Sequence, residues 1–375
     1  MHATKEATYG FAKKFSHYKD FYIIFNDLIF SKLGFGTFKK EPYKDENYLF
    51  EYKDALREAI KNGINVIDTA INYRYQKSEK EIGETLSLLF KEGRTKREEL
   101  IICSKGGFMP LNFPFPKNPY EWIEENIIKK NLATKEDIEL DEHCITGEFL
   151  KASCETSLKN LQIDCIDIYF LHNPEVQLQK LGKKAFLEKL KDIFTTFEEL
   201  VKENKIRYYG IAVWNAFTND EKEIEHINLE EVFDIAKKVA GVNHHFKYIQ
   251  LPFNIAKSNA YALNNQKMSD GNYYTLLQVA HKLNIGVIGS SSLLQMNLFQ
   301  KSFKPEIGYL LDPDMKLKSD IELALQFVRS TEGIITSLFS SKEPLHVKEN
   351  INISSIKKID KKSYNLLYKV GKNDI

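Results

Sequence analysis

The sequence predicts an α/β protein of the (β/α)8, or TIM-barrel, class in a single domain. Short apolar segments rich in β-branched residues alternate eight times with amphipathic segments, and this alternation favours a parallel sheet that closes into a barrel. Polar residues also end three consecutive strands. They can meet in one site only if those strands are neighbours, as they are in a barrel. We divide the chain into an N-terminal arm (1–20), the barrel (21–355) and a C-terminal tail (356–375).

The composition argues against several classes of protein. The chain has 375 residues, 43% of them apolar, and a net charge of +1, which gives no electrostatic reason to expect nucleic acid or an anionic membrane as a partner. Four cysteines without a CxxC pair favour a reduced, cytoplasmic protein over a disulfide scaffold. The N-terminus lacks the pattern of a signal peptide, and the apolar segment 21–30 is too short to span a bilayer.

The strands are predicted from β-branched apolar segments and from the turn residues between them. Residues 1–20 are polar, and we expect them to form a loosely held arm. Asn26-Asp27 interrupts the apolar segment 21–30, which predicts a hairpin. The eight barrel strands are expected near residues 32–38, 64–68, 100–105, 165–172, 208–214, 248–251, 285–290 and 334–339.

Amphipathic periodicity and capping residues predict the helices. The S-x-x-E patterns at Ser78 and Ser319 predict capping boxes, and Asn228 can cap another helix. Further helical segments are expected at 48–62, 147–160, 185–203 and 274–283, and after Pro344. The proline-rich segment 107–146 departs from the alternation, and we expect this insertion after the third strand to form a lid or pocket wall.

The main alternative fold is a doubly wound dinucleotide-binding sheet. Its glycine-rich fingerprint is missing, because Gly34-Phe35-Gly36 is followed by Thr37, Phe38 and Lys39 without a third glycine. In that fold the first strand would also separate the fourth strand from the second and third strands, so the polar residues at their ends would not meet. The barrel is therefore the predicted fold.

Four residues with acid–base chemistry follow neighbouring strands of the predicted barrel. Asp68 ends the second strand and Tyr73 lies five residues further on, while Lys105 ends the third strand and His172 the fourth. The carboxyl ends of barrel strands form the mouth where active sites of this fold lie. We therefore expect these four side chains to meet there as a catalytic group.

The residue types predict proton transfer to a carbonyl oxygen. A phenol has a pKa near 10, so Tyr73 needs help to exchange a proton near neutrality, and an adjacent ammonium would lower that pKa. Asp68 would keep Lys105 charged and in place, and His172 could orient the same substrate oxygen. No HExxH motif is present, and we interpret His143-Cys144 and His244-His245 as structural rather than metal-binding.

At this point the sequence resembles the aldo-keto reductase family. The resemblance runs from about residue 28 to 352, and its motifs are jointly specific. They are Leu33-Gly34-Phe35-Gly36-Thr37, Asp68-Thr69-Ala70-x-x-Tyr73 with Glu79 and Gly83, Lys105, Asp167-Ile168-Tyr169-Phe170-Leu171-His172-Asn173-Pro174, Ile206-Arg207-Tyr208-Tyr209-Gly210-Ile211, Gln250-Leu251-Pro252-Phe253-Asn254, Ala324-Leu325-Gln326-Phe327-Val328 and Glu349-Asn350.

The resemblance implies binding of NADP(H), or less often NAD(H), without a glycine-rich loop. It implies Tyr73 as general acid, Lys105 and Asp68 as its tuning pair, and His172 as the residue that orients the carbonyl. Phe38, His172 and Trp214 would line the substrate pocket. The implied cofactor-binding residues are Gly36, Thr37, Asp68, Asn173, Asn215, Gln250, Ser290, Ser291, Leu293, Ser340, Lys342 and Asn350.

Three departures from the family pattern concern the cofactor. Ala212 and Val213 occupy the positions of a usual Ser-Asn pair, so that Asn215 becomes the nearest candidate. A serine run, 290–292, stands where many members have an aromatic residue that stacks on the nicotinamide. Serines also follow the eighth strand, where basic residues for a 2′-phosphate are usual, and Lys342 is one of the nearby basic candidates.

The predicted function is NAD(P)H-dependent reduction of an aldehyde or ketone to an alcohol, or the reverse reaction. The expected partner is a small carbonyl or alcohol substrate. An alternative is a cofactor-sensing regulatory protein on the same barrel, similar to the potassium-channel β subunits, for which the lost stacking aromatic is an argument. A third, less favoured interpretation is a lyase or isomerase that returns its hydride.

Overall fold

The computed structural model describes residues 1–39, 50–300 and 303–371, and it has the predicted barrel. Eight parallel strands close on themselves in the order β7-β8-β1-β2-β3-β4-β5-β6. The strands are β1 (Leu33–Gly36), β2 (Val66–Asp68), β3 (Ile101–Gly106), β4 (Ile166–His172), β5 (Ile206–Ala212), β6 (Phe246–Pro252), β7 (Gly286–Ser290) and β8 (Ile334–Phe339). Consecutive strands pair in parallel, so all their carboxyl ends lie on one rim.

Each strand is followed by a helix on the outside of the barrel, in some cases only after a long loop. The main helices are α1 (Lys53–Lys61), α2 (Lys77–Lys91), α3 (Gly147–Leu161), α4 (Glu175–Lys202), α5 (Leu229–Ala240), α6 (Leu276–Lys282), α7 (Asp320–Ser330) and α8 (Pro344–Ile351). Asn228 and Ser319 cap α5 and α7, because their side chains accept hydrogen bonds from main-chain N–H groups of the first turn. The reciprocal half of the predicted capping box at Ser319 is wrong, since Glu322 accepts from the main-chain N–H of Lys318 at 2.7 Å and not from that of Ser319.

The predicted capping box at Ser78 is wrong. Helix α2 begins one residue earlier, after Arg74, Tyr75 and Gln76, which all have positive φ angles. The Ser78 hydroxyl donates to the main-chain carbonyl of Thr37 at 2.9 Å instead of capping the helix. This polar side chain is used to attach the start of α2 to the end of β1.

The predicted hairpin is confirmed, and it closes the amino end of the barrel. Strands Tyr22–Phe25 and Leu28–Ser31 pair antiparallel around Asn26-Asp27. Apolar side chains of the hairpin join those inside the barrel in one buried cluster, which includes Leu28, Phe30, Val66, Ile101, Cys103, Ile168, Phe170 and Tyr248. The barrel is therefore a filled core, and only its opposite rim is available for a site.

The polar composition predicts a loosely held N-terminal arm, but in the structure the arm is packed against the barrel. It contains a helix, Lys5–Lys13, and its Phe11 is buried in the main core. The main-chain N–H of Ala3 donates to the Asp167 carboxylate at 2.7 Å, and the Arg207 guanidinium donates to the carbonyl of Ala3. These buried hydrogen bonds hold the arm against β4 and β5, and a count of polar residues does not reveal them.

The C-terminal tail also packs against the barrel. Helix Lys361–Gly371 contributes Tyr364 and Leu367 to the main apolar core. The division of the chain into arm, barrel and tail stays a prediction, although the structure shows that the barrel core includes side chains from all three. Within the described ranges, no helix combines the length and apolar character needed to cross a bilayer.

The insertion after β3 is a compact excursion whose two ends meet. It contains the short helix Pro119–Ile123, and Ile123 and Ile127 are buried in the main core. At its base, the N–H of Cys144 donates to the carbonyl of Gly107, and the N–H of Met109 donates to Glu142, both at 2.7 Å. The insertion therefore leaves and rejoins the barrel next to the carboxyl end of β3, beside the mouth.

Candidate active site

Strand alternation explains why four polar side chains point into the mouth. Successive residues of a strand face opposite sides of a sheet. Asp68, Lys105, His172 and Gln250 each stand two positions after a residue of the inner cluster, respectively Val66, Cys103, Phe170 and Tyr248. Each therefore faces the barrel axis, one layer above the apolar filling, at the carboxyl end of β2, β3, β4 or β6.

The Lys105 ammonium is the centre of the site. It donates to Asp68 Oδ1 at 2.6 Å and to the main-chain carbonyl of Thr69 at 2.7 Å. It also hydrogen-bonds the hydroxyl of Tyr73, so all three of its donors are engaged. Burial alone would lower the pKa of Lys105, but Asp68 and Tyr73 raise it above its usual range, and the side chain stays charged.

Tyr73 lies at the mouth with its hydroxyl against this ammonium. Its ring centroid is 4.8 Å from Lys105 Nζ, 5.2 Å from the Phe38 ring and 5.9 Å from the His172 ring. Burial raises the pKa of the phenol, and the Lys105 charge offsets only part of that rise. The Lys105 ammonium lowers the Tyr73 pKa as expected, but desolvation outweighs it, so the pKa of the phenol lies above its usual value. The hydroxyl carries its proton at neutral pH.

His172 is a neutral imidazole. Burial lowers the pKa of His172 well below its usual value, and the nearby Lys105 charge acts in the same direction. Its Nδ1 is buried and has no hydrogen-bond partner within the described ranges. The Phe108 ring packs against it at 4.9 Å between centroids. A neutral ring can donate to or accept from a substrate oxygen without competing for the phenol proton.

The structure places several of the predicted cofactor-binding residues in contact with this centre. Gly36 pairs with Asp68 across β1 and β2, and Thr37 donates its hydroxyl to the carbonyl of Asp68 at 3.1 Å. Gln250 Nε2 donates to Asp68 Oδ2 at 2.7 Å. Asn173 directly follows His172 with φ +46° and donates its main-chain N–H to Ala212.

The remaining predicted cofactor residues lie further round the rim and are not all brought together. Ser290, Ser291 and Leu293 follow β7, and the Ser291 carbonyl accepts from Asn254 at 2.9 Å. Ser340 donates to Tyr52 after β8, and exposed Lys342 pairs with Glu343 at 3.5 Å. Asn350 is buried near the end of α8, about two helical turns from the rim.

The predicted pocket residues Phe38 and Trp214 are both partly exposed at the mouth. Lys257 Nζ lies 5.0 Å from the Trp214 ring and donates to Asn215 Oδ1 at 3.1 Å. The side-chain oxygen of Asn215 is therefore already engaged at this position. Among the residues that the structure describes, no group of His, Cys, Asp and Glu side chains could hold a metal ion.

The rim fits a ligand with amide and hydroxyl groups. Thr69 Oγ1 and Asn72 Oδ1 are buried beside the catalytic group without a partner in the described structure. Buried polar atoms in native proteins are nearly always paired, so these two atoms at the mouth are candidates for contact with a ligand. The described residues engage only Nε2 of Gln250, which leaves its Oε1 as an acceptor. This donor and acceptor set suits the carboxamide and ribose of a nicotinamide nucleotide.

Comparison with known proteins identifies the family. The model of the aldo/keto reductase family matches residues 32–310, which is most of the chain. The chain belongs to the aldo-keto reductase family. It is similar to glyoxal reductase of Bacillus subtilis, with 29% identity over 194 residues, which cover 52% of this chain and 49% of the relative.

Two further comparisons extend this aldo-keto reductase assignment. The NADH-specific methylglyoxal reductase of Escherichia coli is 26% identical over 189 residues, which cover 50% of this chain and 49% of that protein. The chain thus spans about half the length of the curated relatives it matches. An aldo/keto reductase from Klebsiella pneumoniae, solved in complex with NADP and acetate, has a TM-score of 0.56 at 18% identity and covers 92% of each chain. At that identity the likeness shows the (β/α)8 fold.

Sequence reasoning missed three residues that contact this site. His143 lies in the insertion and hydrogen-bonds the main chain of His172, and Phe108 packs between the two rings. Glu175 follows β4 and accepts from the Trp214 main-chain N–H at 2.6 Å. The only signal for His143 was its presence in an unusual insertion, and nothing along the chain placed it against β4.

Proposed function

We propose that this chain is an NAD(P)H-dependent oxidoreductase that reduces an aldehyde or ketone to an alcohol and can run the reaction in reverse. One observation carries the proposal. A protonated phenol, Tyr73, is hydrogen-bonded to a buried ammonium, Lys105, that Asp68 and the Thr69 carbonyl hold in place, with the neutral His172 ring 5.9 Å away.

The residues present can perform the proton half of this reaction. A bound nicotinamide supplies the hydride that reaches the carbonyl carbon. As negative charge develops on the carbonyl oxygen, Tyr73 donates its proton to that oxygen, and the adjacent Lys105 charge stabilises the phenolate left behind. His172 hydrogen-bonds the same oxygen and orients it, while Asp68 keeps the ammonium in position. For alcohol oxidation, the phenolate accepts the proton.

The residues that would hold the cofactor are those on the rim. Gln250 would offer its side-chain oxygen to the carboxamide, and the segment after β7 (290–293) would contact the nicotinamide ribose. The known relatives named above include one called NADH-specific and a structure that binds NADP, and both cofactors stay in the proposal. The Lys342 charge near β8 is partly neutralised by Glu343 at 3.5 Å. This pairing weakens the attraction of Lys342 for the 2′-phosphate that distinguishes NADP(H) from NAD(H).

We also propose a small carbonyl or alcohol as the substrate and the cytoplasm as the compartment. All four cysteines, Cys103, Cys144, Cys154 and Cys165, are buried free thiols. Free buried thiols are typical of a reduced compartment. As a lid or pocket wall, the insertion would restrict which substrates reach the Tyr73 phenol.

Turnover of a panel of aldehydes and ketones, followed through NADPH or NADH absorbance, tests the proposed function. We expect Tyr73→Phe to lose nearly all turnover, by about 10²-fold or more, because general-acid catalysis contributes about that much. Fluorescence titration should show unchanged cofactor binding. Tyr169→Phe is the matched control, because Tyr169 is buried on the outer face of β4 and its hydroxyl has no partner in the described structure.

Two outcomes would count against this function. If Tyr73→Phe and Tyr169→Phe turned over as fast as the wild-type protein, Tyr73 would not be the proton donor. Cofactor binding without turnover of any carbonyl compound would instead support the alternative of a cofactor-sensing protein. Titration with NADPH and NADH in parallel would decide the preferred cofactor.

A further inference from the structure

The two ends of the insertion bring a second histidine against the catalytic one. Phe108 and His143 form an isolated antiparallel bridge at the base of the insertion. His143 Nε2 lies 2.8 Å from the main-chain carbonyl oxygen of His172. The place is tightly packed, because a Cβ atom added to Gly107 would lie 2.6 Å from that oxygen and 3.1 Å from His143 Nε2. A glycine is therefore required beside this hydrogen bond.

The partners of His143 fix its tautomer. A carbonyl oxygen only accepts, so Nε2 carries the hydrogen that it donates to His172. Nδ1 is then an acceptor, and the two N–H groups of Gln177 Nε2 are shared between it, at 3.4 Å, and the carbonyls of Asp137 and His143. Burial lowers the pKa of His143 to about 4, so the ring is neutral and this arrangement persists at neutral pH.

The His172 ring depends on this support because it has little of its own. Its Nδ1 is buried and unpaired, and none of the described residues hydrogen-bonds the imidazole. Its orientation therefore rests on where its main chain lies and on packing. The Phe108 ring supplies that packing, since its centroid is 4.9 Å from both the His172 and the His143 rings. His143 thus secures the main chain directly and the ring through Phe108.

We propose that His143 is a positioning residue for carbonyl reduction, which holds His172 in the orientation that meets the substrate oxygen. This inference rests on the proposed function and assigns a role to the insertion beyond that of a pocket wall. His143 itself is not a candidate acid, base or metal ligand, because both of its ring nitrogens are engaged. Its whole effect on the reaction should pass through His172.

A double-mutant cycle tests this dependence. His143→Leu removes the hydrogen bond, and a misplacement of about 1 Å in a catalytic group can cost about 10²-fold in rate. We expect kcat to fall roughly 10- to 100-fold in His143→Leu, with cofactor affinity unchanged. In a His172→Ala background the same substitution should change kcat less than about twofold, because the residue it supports is gone. His143→Gln restores an N–H donor and should recover most of the rate.

The cycle also shows what would overturn the proposal. Equal fold-losses from His143→Leu in the two backgrounds would mean that it acts independently of His172. Failure of His143→Gln to recover more than His143→Leu would exclude the hydrogen bond as the cause. If His143→Leu does not fold, Phe108→Leu replaces it in the same cycle, with the same expected dependence on His172.

A spectroscopic readout separates this inference from the proposed function. In protein labelled with ¹⁵N-histidine, we expect His143 as the neutral Nε2–H tautomer, and the His172 ring signals should shift in His143→Leu but not in His143→Gln. Unchanged His172 signals in both variants would overturn the positioning role. A wild-type protein that binds cofactor but reduces no carbonyl compound would defeat the proposed function, while this comparison would still decide the role of His143.

Discussion

Gln250 and Asp68 face each other across the barrel, from β6 to β2, and the amide Nε2 donates to Asp68 Oδ2 at 2.7 Å. The other carboxylate oxygen, Oδ1, accepts from Lys105 at 2.6 Å. Both oxygens of this buried carboxylate are therefore engaged by side chains. Gln250, which is predicted to bind the cofactor, therefore also fixes the Asp68 carboxylate that holds Lys105 in place.

Replacing Gln250 should therefore damage both stability and turnover. In Gln250→Met, Asp68 Oδ2 stays buried without its donor, and an unsatisfied buried acceptor costs about 1–3 kcal/mol. We expect urea unfolding to show that loss and kcat/KM to fall. Gln266→Met is the control, because Gln266 is buried and its hydrogen bonds in the described structure go to the main chain of Phe217, Ile227 and Leu229, not to Asp68 or Lys105. Gln266→Met should lose stability while its folded form keeps wild-type turnover. If the folded form of Gln250→Met also kept wild-type turnover, Gln250 would make no contribution to the reaction.

Removal of the central ammonium should be more costly. Lys105→Met leaves Asp68 as an uncompensated buried charge, which typically destabilises a protein by about 3–5 kcal/mol. Adding Asp68→Asn should recover part of the free energy of unfolding but none of the turnover. Lys14→Met breaks the more exposed Lys14–Glu99 pair, 2.6 Å apart, and should cost at most about 1 kcal/mol. Equal destabilisation by the two lysine substitutions would contradict the buried charge network.

The pH dependence of the two reaction directions should differ. Burial raises the pKa of the Tyr73 phenol above its usual value of about 10. Carbonyl reduction needs the protonated phenol, so its rate should stay level through neutral pH and fall only in alkaline solution. Alcohol oxidation needs the phenolate and should rise with pH. Because burial lowers the pKa of His172 well below its usual range, an acidic limb near pH 6.5 that His172→Gln abolishes would contradict the neutral ring.

Glu175 should make the protein less stable as the pH rises. Burial raises the pKa of this carboxyl from 4.5 to about 7. Between these values the unfolded chain has lost a proton that the folded protein keeps, so the free energy of unfolding falls as the pH rises, by about 3 kcal/mol in all. Glu175→Gln keeps the acceptor for the Trp214 N–H and removes the ionisation.

Urea unfolding at pH 4.5 and pH 8 measures this effect. We expect Glu175→Gln to match the wild-type protein near pH 4.5 and to exceed its stability by up to about 3 kcal/mol at pH 8. The exposed Glu223 provides the control, since Glu223→Gln should change stability by less than about 0.5 kcal/mol at either pH. The same gain from both substitutions, or a gain independent of pH, would show that burial of Glu175 is not responsible.

The barrel and the meeting of Asp68, Tyr73, Lys105 and His172 at its mouth could be predicted because they follow from local patterns. Strand periodicity places Asp68, Lys105 and His172 at inward-facing positions near the carboxyl ends of consecutive strands, and the parallel order makes those strands neighbours. Gln250 obeys the same rule, two residues after inner-cluster Tyr248, although its identification came from the family resemblance. The position of each of these side chains is decided within its own strand.

The features that the sequence did not predict depend on contacts between distant segments. His143 and His172 are brought together by the closure of the insertion, which no periodicity records. The polar start of the chain is held by hydrogen bonds from Ala3 to Asp167 and from Arg207. The net rise of the Tyr73 pKa could not be predicted, because the sequence shows the neighbouring lysine but not how far the hydroxyl is desolvated.

The hydrogen bonds between Gly107 and Cys144 and between Met109 and Glu142 make the insertion an exchangeable module. The entropy of closing a loop changes by only about 0.6 kcal/mol for each doubling of its length. Residues 110–141 could therefore be shortened, extended or replaced with little penalty, provided that buried side chains such as Ile123 find substitutes and the anchors stay. Substrate range could diverge through this one segment while the proton-transfer chemistry is inherited unchanged.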